Sequence, residues 1–407
     1  MDGMLHWTVR WLSAIVLVAA LGFTSLGGTG RAAQDSSDSA TKFDSKAPYA
    51  ILIDSRSGKI YYENHADDLM APASMSKVMT MIMVFEGLKS GRLHLNDEFT
   101  ISENAWRKGG AVSGGSTMYA QLNSRVKLED LIQGVIIQSA NDACIAIAEG
   151  IAGSEEAFAD QMTRRARELG LQKTTFKNAT GLPEPEHKTT ARELAQIARY
   201  LIEVYPQEYA LYSRSDFTWN NINQRNRNPL LGMSIGADGL KTGFTKEAGY
   251  GLVGSAVQNG LRLIVVVNGL KSEKERADEG KKLLEWGFHN FQSGLLFADG
   301  QEIAQAKLYG GEKGHVPLVA GKEVRLMVPR GSREKIIARV VYTGPVPAPV
   351  QQGQKIGALK VWRGDFLVLE VPLRASESVG TGSMSQRAFD AASELVVGFF
   401  RAGLQRL

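Results

Sequence analysis

The sequence predicts an α/β (α+β) domain in which helices cover one antiparallel sheet, followed by a small all-β domain and a terminal amphipathic helix. Three observations predict it. Two β-rich runs around a turn open the ordered part, "YAILIDSRSGKIYYENHADDLM"; helical patterns hold from Ser74 to about Glu203; two apolar runs, "YGLVGSAV" and "LRLIVVVNG", then follow around "QNG". Strands at both ends with helices between them imply one sheet built from the two ends of the domain.

Taken in order, residues 1–33 have the layout of a secretory signal. Arg10 precedes the apolar stretch Trp11 to Phe23, and small residues end at Ala32 and Ala33. That stretch is shorter than the about 20 residues a spanning helix needs, so the body of the chain is expected to be exported. A polar linker fills 34–46. The main domain runs over 47–294 and closes with the charged amphipathic helix "SEKERADEGKKLLEWGFHNF". Short β-runs, "EVRLMVP", "KIIARVVYTG", "ALKVW" and "FLVLEVPL", mark a β-rich domain over 295–378. Residues 379–407 put Phe389, Ala392, Val396, Phe399, Phe400 and Leu407 on one side of a helix, a layout suited to lying in a membrane surface or to packing on protein.

Composition narrows the function. With 407 residues, 43% of them hydrophobic and 22% charged, the chain is a globular protein with a large core. A net charge of +4 without a long Lys/Arg run is too mild to argue for a nucleic-acid partner and supports only a weak preference for anionic surfaces. Cys144 is the single cysteine, so no internal disulfide forms, and it reads as a small buried hydrophobe. His65, His94, His187, His289 and His315 show no ligand spacing, which leaves no metal site and no cofactor. Met75, Met79, Met81 and Met83 read as core filling.

The chemistry starts at "APASMSKVMT", residues 71–80. A serine hydroxyl is a poor nucleophile until a base within hydrogen-bond reach takes its proton. Ser74 and Lys77, three apart on one helical face, meet. Just after Pro72, Ser74 lies at the helix start, where free backbone N–H groups favour developing negative charge. Lys77, beside apolar surface and near a second cation, would hold its ammonium poorly and so serve as the base. Ser-x-x-Lys also occurs at Ser39/Lys42, Ser124/Lys127 and Ser332/Lys335, so spacing alone decides nothing. Two further patterns add weight: "SAN" at Ser139 to Asn141 and "KTG" at Lys241 to Gly243. Their decoys are "SEN" at Ser102 to Asn104 and "KSG" at Lys89 to Gly91. Context separates the latter pair, because "LKSGRL" reads as a helix end with its glycine cap, whereas "DGLKTGFTKEAGYGLVGSA" runs into a hairpin.

With its three ordered motifs, and with "QSANDACIAIAE", "RNRNPLL" and "KKLLEWGF" around them, the chain resembles the serine-type D-alanyl-D-alanine carboxypeptidases, low-molecular-weight penicillin-binding proteins of peptidase family S11. The resemblance covers nearly the whole mature chain and implies a penicillin-binding/β-lactamase-like serine hydrolase fold. It implies that Ser74 attacks the penultimate D-alanine carbonyl of a peptidoglycan stem peptide, with Lys77 as proton acceptor and Ser139 as relay. Asn141 would hold Lys77 and the substrate amide. Lys241, Thr242 and Arg227 would bind the terminal carboxylate along the strand that carries Gly243. The backbone N–H of Phe244, with that of Ser74, would form the oxyanion hole. β-Lactam antibiotics would acylate Ser74, no cofactor is implied, and the tail would hold a periplasmic enzyme on the outer face of the cytoplasmic membrane. Phe244 departs from the family, whose members often have histidine there. Two other readings are a β-lactamase-like hydrolase, for which Glu184 or Glu186 would have to supply a base, and a penicillin-binding scaffold with weak catalysis.

Overall fold

The structure, a computed structural model, describes residues 43–330 and 335–392. The expected signal at 1–33, most of the linker and the tail beyond residue 392 lie outside the described residues. The described chain divides into two compact units between residues 291 and 292.

In the first unit, β1 (Tyr49–Asp54) and β2 (Ile60–Asn64) form the expected opening hairpin. A 3₁₀ turn over Ala73–Ser76 leads into α1 (Lys77–Lys89). Two three-residue strands that the helical pattern did not reveal, β3 (Glu98–Thr100) and β4 (Arg125–Lys127), pair with each other. The helices α2 (Leu128–Gln133), α3 (Asn141–Ala152), α4 (Glu155–Glu168), α5 (Ala191–Val204) and the short α6 (Pro206–Tyr209) follow. A small hairpin of β5 (Asp216–Trp219) and β6 (Ile222–Arg225) precedes β7 (Ala237–Thr245), β8 (Gly249–Gln258), β9 (Leu261–Leu270) and α7 (Glu273–Asn290). The main sheet has the order β2-β1-β9-β8-β7 and is antiparallel throughout. Its two ends come from the two ends of the domain, as the sequence predicts.

The sheet is covered on both faces, which is why β8 and β9 read as continuous apolar runs and not as alternating ones. Ile51, Ile53, Val253, Ile264 and Val266 join α1 and α5 in the main core. On the opposite face α7 approaches closely because it carries glycine. A β-carbon at Gly287 would lie 2.6 Å from Leu263 and 2.8 Å from Leu52, and one at Gly280 would lie 2.7 Å from Leu252. Met75, Met79 and Met81 are fully buried, as expected of core filling, each contributing about 1.5–3 kcal/mol. Ser154, Thr190 and Ser272 cap α4, α5 and α7, each accepting from the N–H three residues on. Lys89 to Gly91 ends α1 with Gly91 at φ +72°, the helix stop that distinguishes it from the true KTG strand.

The second unit holds its own core around Leu308, Val316, Leu318, Leu359, Val361 and Leu373. Six strands between Glu302 and Ala375 form one sheet, and Phe291–Phe297 pairs with Val324–Pro329. A terminal helix covers 384–392, with Met384 and Phe389 strongly exposed.

Candidate active site

The Ser74 turn is built by three segments that close on it. Proline precedes it, Ala73 takes φ +48°, and the chain then enters α1. Gly181, at φ +79°, abuts the turn so tightly that a β-carbon there would lie 1.9 Å from the Ala73 carbonyl oxygen. From the sheet side Gly243 makes the same kind of approach: its β-carbon would meet the Pro72 oxygen at 3.0 Å and Ala73 and Met75 at 3.2 Å. The glycine of KTG is therefore where β7 passes the serine. Because β7 is the edge strand, its outer backbone is not paired within the sheet.

Lys77 is buried, and its Nζ donates to Ser74 Oγ at 2.9 Å, to Asn141 Oδ1 at 2.8 Å and to the Thr180 carbonyl. Burial pushes its pKa down to about 8, with Arg227 the cation that adds to the effect. The serine, the amine and the asparagine that the sequence singles out are thus joined by direct hydrogen bonds. Asn141 owes its position to α3, whose first turn is pinned from below. The neighbouring Asp142 accepts from Thr117 Oγ1 at 2.6 Å and from the N–H groups of Met118, Ala120 and Ala143, tying the loop after the glycine-rich "GGAVSGGS" segment to the helix. Burial raises the Asp142 pKa, and these donors oppose the rise.

Ser139 comes off a π-helical turn, Gly134–Gln138, in the left-handed conformation at φ +66°. Its hydroxyl is buried and makes no hydrogen bond among the described residues, so the structure does not join it to Ser74 or Lys77. Lys241 is also buried, but its Nζ donates to the Thr242 carbonyl at 2.9 Å and not to Ser74. Burial first, then Lys77 and Arg227, hold its pKa well below the ordinary lysine value. Arg227 Nη1 donates to Ser116 Oγ at 2.7 Å, which sets the arginine against the glycine-rich loop. Thr242 is buried, and Phe244 is half exposed and stacked on its cross-strand partner Tyr250, ring centroids 4.2 Å apart.

Sequence reasoning missed Arg276. It sits on α7, 7% exposed, with its guanidinium over the Tyr250 ring, 5.6 Å from the centroid. Its Nε has no hydrogen-bond partner among the described residues, burial lowers its pKa while the Glu273 carboxylate opposes the fall, and its charge adds to the depression of the Lys241 pKa. One arginine within the charged run "SEKERADEGKK" carries no periodic signal that would set it apart. Cys144 is buried, with its thiol pushed up to about 12 by burial, which keeps it neutral. Glu184 and Glu186 lie on the exposed side of their loop, Glu186 paired with Lys177 at 3.0 Å. No cluster of metal-ligating side chains occurs among the described residues.

A half-buried serine at the head of a helix, hydrogen-bonded to a buried lysine, defines a serine-type acyl-transferring hydrolase. The family model for D-alanyl-D-alanine carboxypeptidases matches residues 34–272, and that for the C-terminal domain of penicillin-binding protein 5 matches 291–381. The D-alanyl-D-alanine carboxypeptidase DacC of Escherichia coli is 39% identical over 343 residues, covering 84% of this chain and 86% of the relative. DacA of Haemophilus influenzae is 36% identical over 93% of this chain and 96% of the relative. The crystal structure of penicillin-binding protein 5 from Haemophilus influenzae covers 84% of this chain and 99% of its own, with 37% identity and a TM-score of 0.75. An ampicillin-bound structure of penicillin-binding protein D2 from Listeria monocytogenes covers 61% of this chain and 99% of its own, with 29% identity and a TM-score of 0.53. The chain belongs to the D-alanyl-D-alanine carboxypeptidase family and is a serine-type carboxypeptidase.

Proposed function

We propose that this enzyme removes the terminal D-alanine from peptidoglycan stem pentapeptides through an acyl-enzyme on Ser74. The 2.9 Å contact between Lys77 Nζ and Ser74 Oγ is the observation that carries the reading. Neutral Lys77 takes the hydroxyl proton as Ser74 Oγ bonds to the penultimate carbonyl carbon. The oxyanion forms against the backbone N–H groups of Ser74 and Phe244, and the peptide C–N bond then breaks. The departing amine takes its proton from Lys77 through Ser139, whose unpartnered buried hydroxyl is free to turn toward it. Water completes the cycle by releasing the shortened peptide.

The carboxylate of the terminal D-alanine is an anion before any bond breaks, and the site answers it with cations. Lys241, Thr242 and Arg227 bind it, the substrate backbone lying along the open edge of β7 with Gly243 leaving room. Arg276 adds a fourth group, since a buried guanidinium whose Nε has no hydrogen-bond partner is stabilised when a carboxylate arrives. Asn141 holds Lys77 and meets the substrate amide. A β-lactam antibiotic presents a carboxylate and a strained amide in a similar arrangement and would leave Ser74 acylated.

We further propose that the chain comprises signal peptide 1–33, linker 34–46, catalytic domain 47–294, β-rich domain 295–378 and membrane-surface helix 379–407. The enzyme would then work in the periplasm, peripheral on the outer face of the cytoplasmic membrane. Release of D-alanine from a pentapeptide ending in D-Ala-D-Ala, compared between wild type and Ser74→Ala, tests the central claim. Mass spectrometry after incubation with a penicillin should find one adduct on the wild type and none on the variant. Turnover that survives Ser74→Ala defeats it.

A further inference from the structure

Behind the nucleophile lies a chain of buried polar groups that the reaction above does not use. His187, 2% exposed and edge-on to Phe176 with ring centroids 5.6 Å apart, places Nε2 2.8 Å from Ser76 Oγ. Its other ring nitrogen, Nδ1, accepts from the Lys177 backbone N–H at 3.3 Å. That contact fixes the tautomer: the proton is on Nε2, and Nε2 donates to Ser76. Ser76 Oγ, itself 1% exposed, passes the bond on by donating to the Ala73 carbonyl at 2.9 Å. Burial, with Lys77 and Lys188 adding to it, pushes the His187 pKa down to about 4, so the ring stays neutral and keeps this one-donor, one-acceptor pattern.

The end of the chain matters because of what shares its peptide unit. The Ala73 carbonyl and the Ser74 N–H belong to one planar amide, pointing in opposite directions, so fixing the oxygen fixes the hydrogen. Ala73 is a non-glycine residue at φ +48°, a conformation that persists only where its surroundings hold it. Gly181 closes the space on one side of that oxygen and Ser76 bonds it.

We propose that His187 and Ser76 are positioning residues that aim the Ser74 N–H at the oxyanion by holding the Ala73–Ser74 peptide plane from its carbonyl side. The inference rests on the acyl-enzyme reading of Ser74. Loss of either side chain frees the carbonyl to rotate, weakens the donor as charge develops, and leaves ground-state binding of the peptide in place.

Four variants test it: Ser76→Ala, which removes the hydroxyl; Ser76→Thr, which keeps it; His187→Phe, which keeps the ring and removes the donor; and the Ser76→Ala/His187→Phe double. Expected for Ser76→Ala and His187→Phe is a fall in kcat and in the rate of penicillin acylation of about tenfold or more, with KM for the peptide little changed. Affinity for a peptide boronic acid, which forms the tetrahedral anion on serine, should fall by the same factor as kcat/KM. The double variant should be no slower than the worse single one, and Ser76→Thr should stay near wild type. Folded Ser76→Ala acylating at the wild-type rate overturns the inference, as do losses that multiply in the double variant; Ser76→Ala decides the matter alone if His187→Phe fails to fold. Absence of any penicillin adduct on wild-type Ser74 would instead strike the acyl-enzyme reading itself.

Discussion

Lys77 Nζ lies 2.9 Å from Ser74 Oγ while also bonding Asn141 and the Thr180 backbone, so the proposed base is fixed on its nucleophile before any substrate arrives. Three acceptors around a buried amine hold its position, and burial weakens its hold on the third proton.

The pH dependence follows with a definite sign. Neutral Lys77 is the active form and its pKa is pushed down to about 8, so acylation should rise about tenfold per pH unit well below that value and level off above it. Stopped-flow or labelling rates with a chromogenic penicillin between pH 6 and 10 check this. A flat profile over that range would remove Lys77 from the role of base.

Gly181→Ala should be costly where Gly170→Ala is mild. Both glycines have positive φ, +79° and +85°, so both substitutions carry the left-handed cost of about 1–2 kcal/mol. Only at 181 does the new β-carbon run into backbone, 1.9 Å from the Ala73 oxygen, with nothing within 4 Å at 170. Thermal melts should show the larger loss at 181, together with a drop in Ser74 acylation that Gly170→Ala does not share.

Arg276→Leu separates binding from stability. Removing one charged hydrogen-bond donor to the substrate carboxylate should raise KM for the peptide by about tenfold. Removing a buried cation whose desolvation outweighs its attraction to Glu273 should leave the melting temperature unchanged or higher. An unaltered KM in the folded variant would exclude Arg276 from the substrate site.

Phe244→His probes the departure from the family pattern. The proposed role of Phe244 uses its backbone N–H, while its ring stacks on Tyr250. Steady-state kinetics should show altered kcat or KM with activity retained. A wild type without activity, rescued by the histidine, would contradict the backbone role.

Truncation after Ser383 should shift the protein from the membrane to the soluble fraction on cell lysis, with peptide hydrolysis by the purified protein preserved. The described start of that helix already exposes Met384 and Phe389. An unchanged distribution would return the tail to a packing role.

Local rules wrote much of this site into the sequence. Three-residue spacing on a helical turn is enough to bring Ser74 to Lys77, and the alternation of β-runs and helices gives the two-ended sheet. The glycine after Lys89 and the hairpin after Gly243 told the false motif from the true one by helix-stop and turn chemistry. What escaped was every feature set by a close approach between distant segments. Arg276 looks like one more charge on a surface helix until α7 lies on the sheet and buries it. His187 carries no spacing signal, because its partner is 111 residues away. Ser139 was found by its motif, yet its unpartnered hydroxyl depends on a π-helical turn that no propensity announces.

By itself, then, the sequence singled out the groups proposed for the chemistry and the elements that carry them, since hydrogen-bond reach along a helix and the apolar run of a covered strand are local quantities. Tertiary structure alone decided how strongly those groups are tuned. Lys77 loses its grip on a proton, Ala73 is held at positive φ and Arg276 is buried with its Nε unbonded only when the α1 turn, the 178–182 loop, α7 and β7 exclude water together, and desolvation is a property of the packed assembly that no single segment contains.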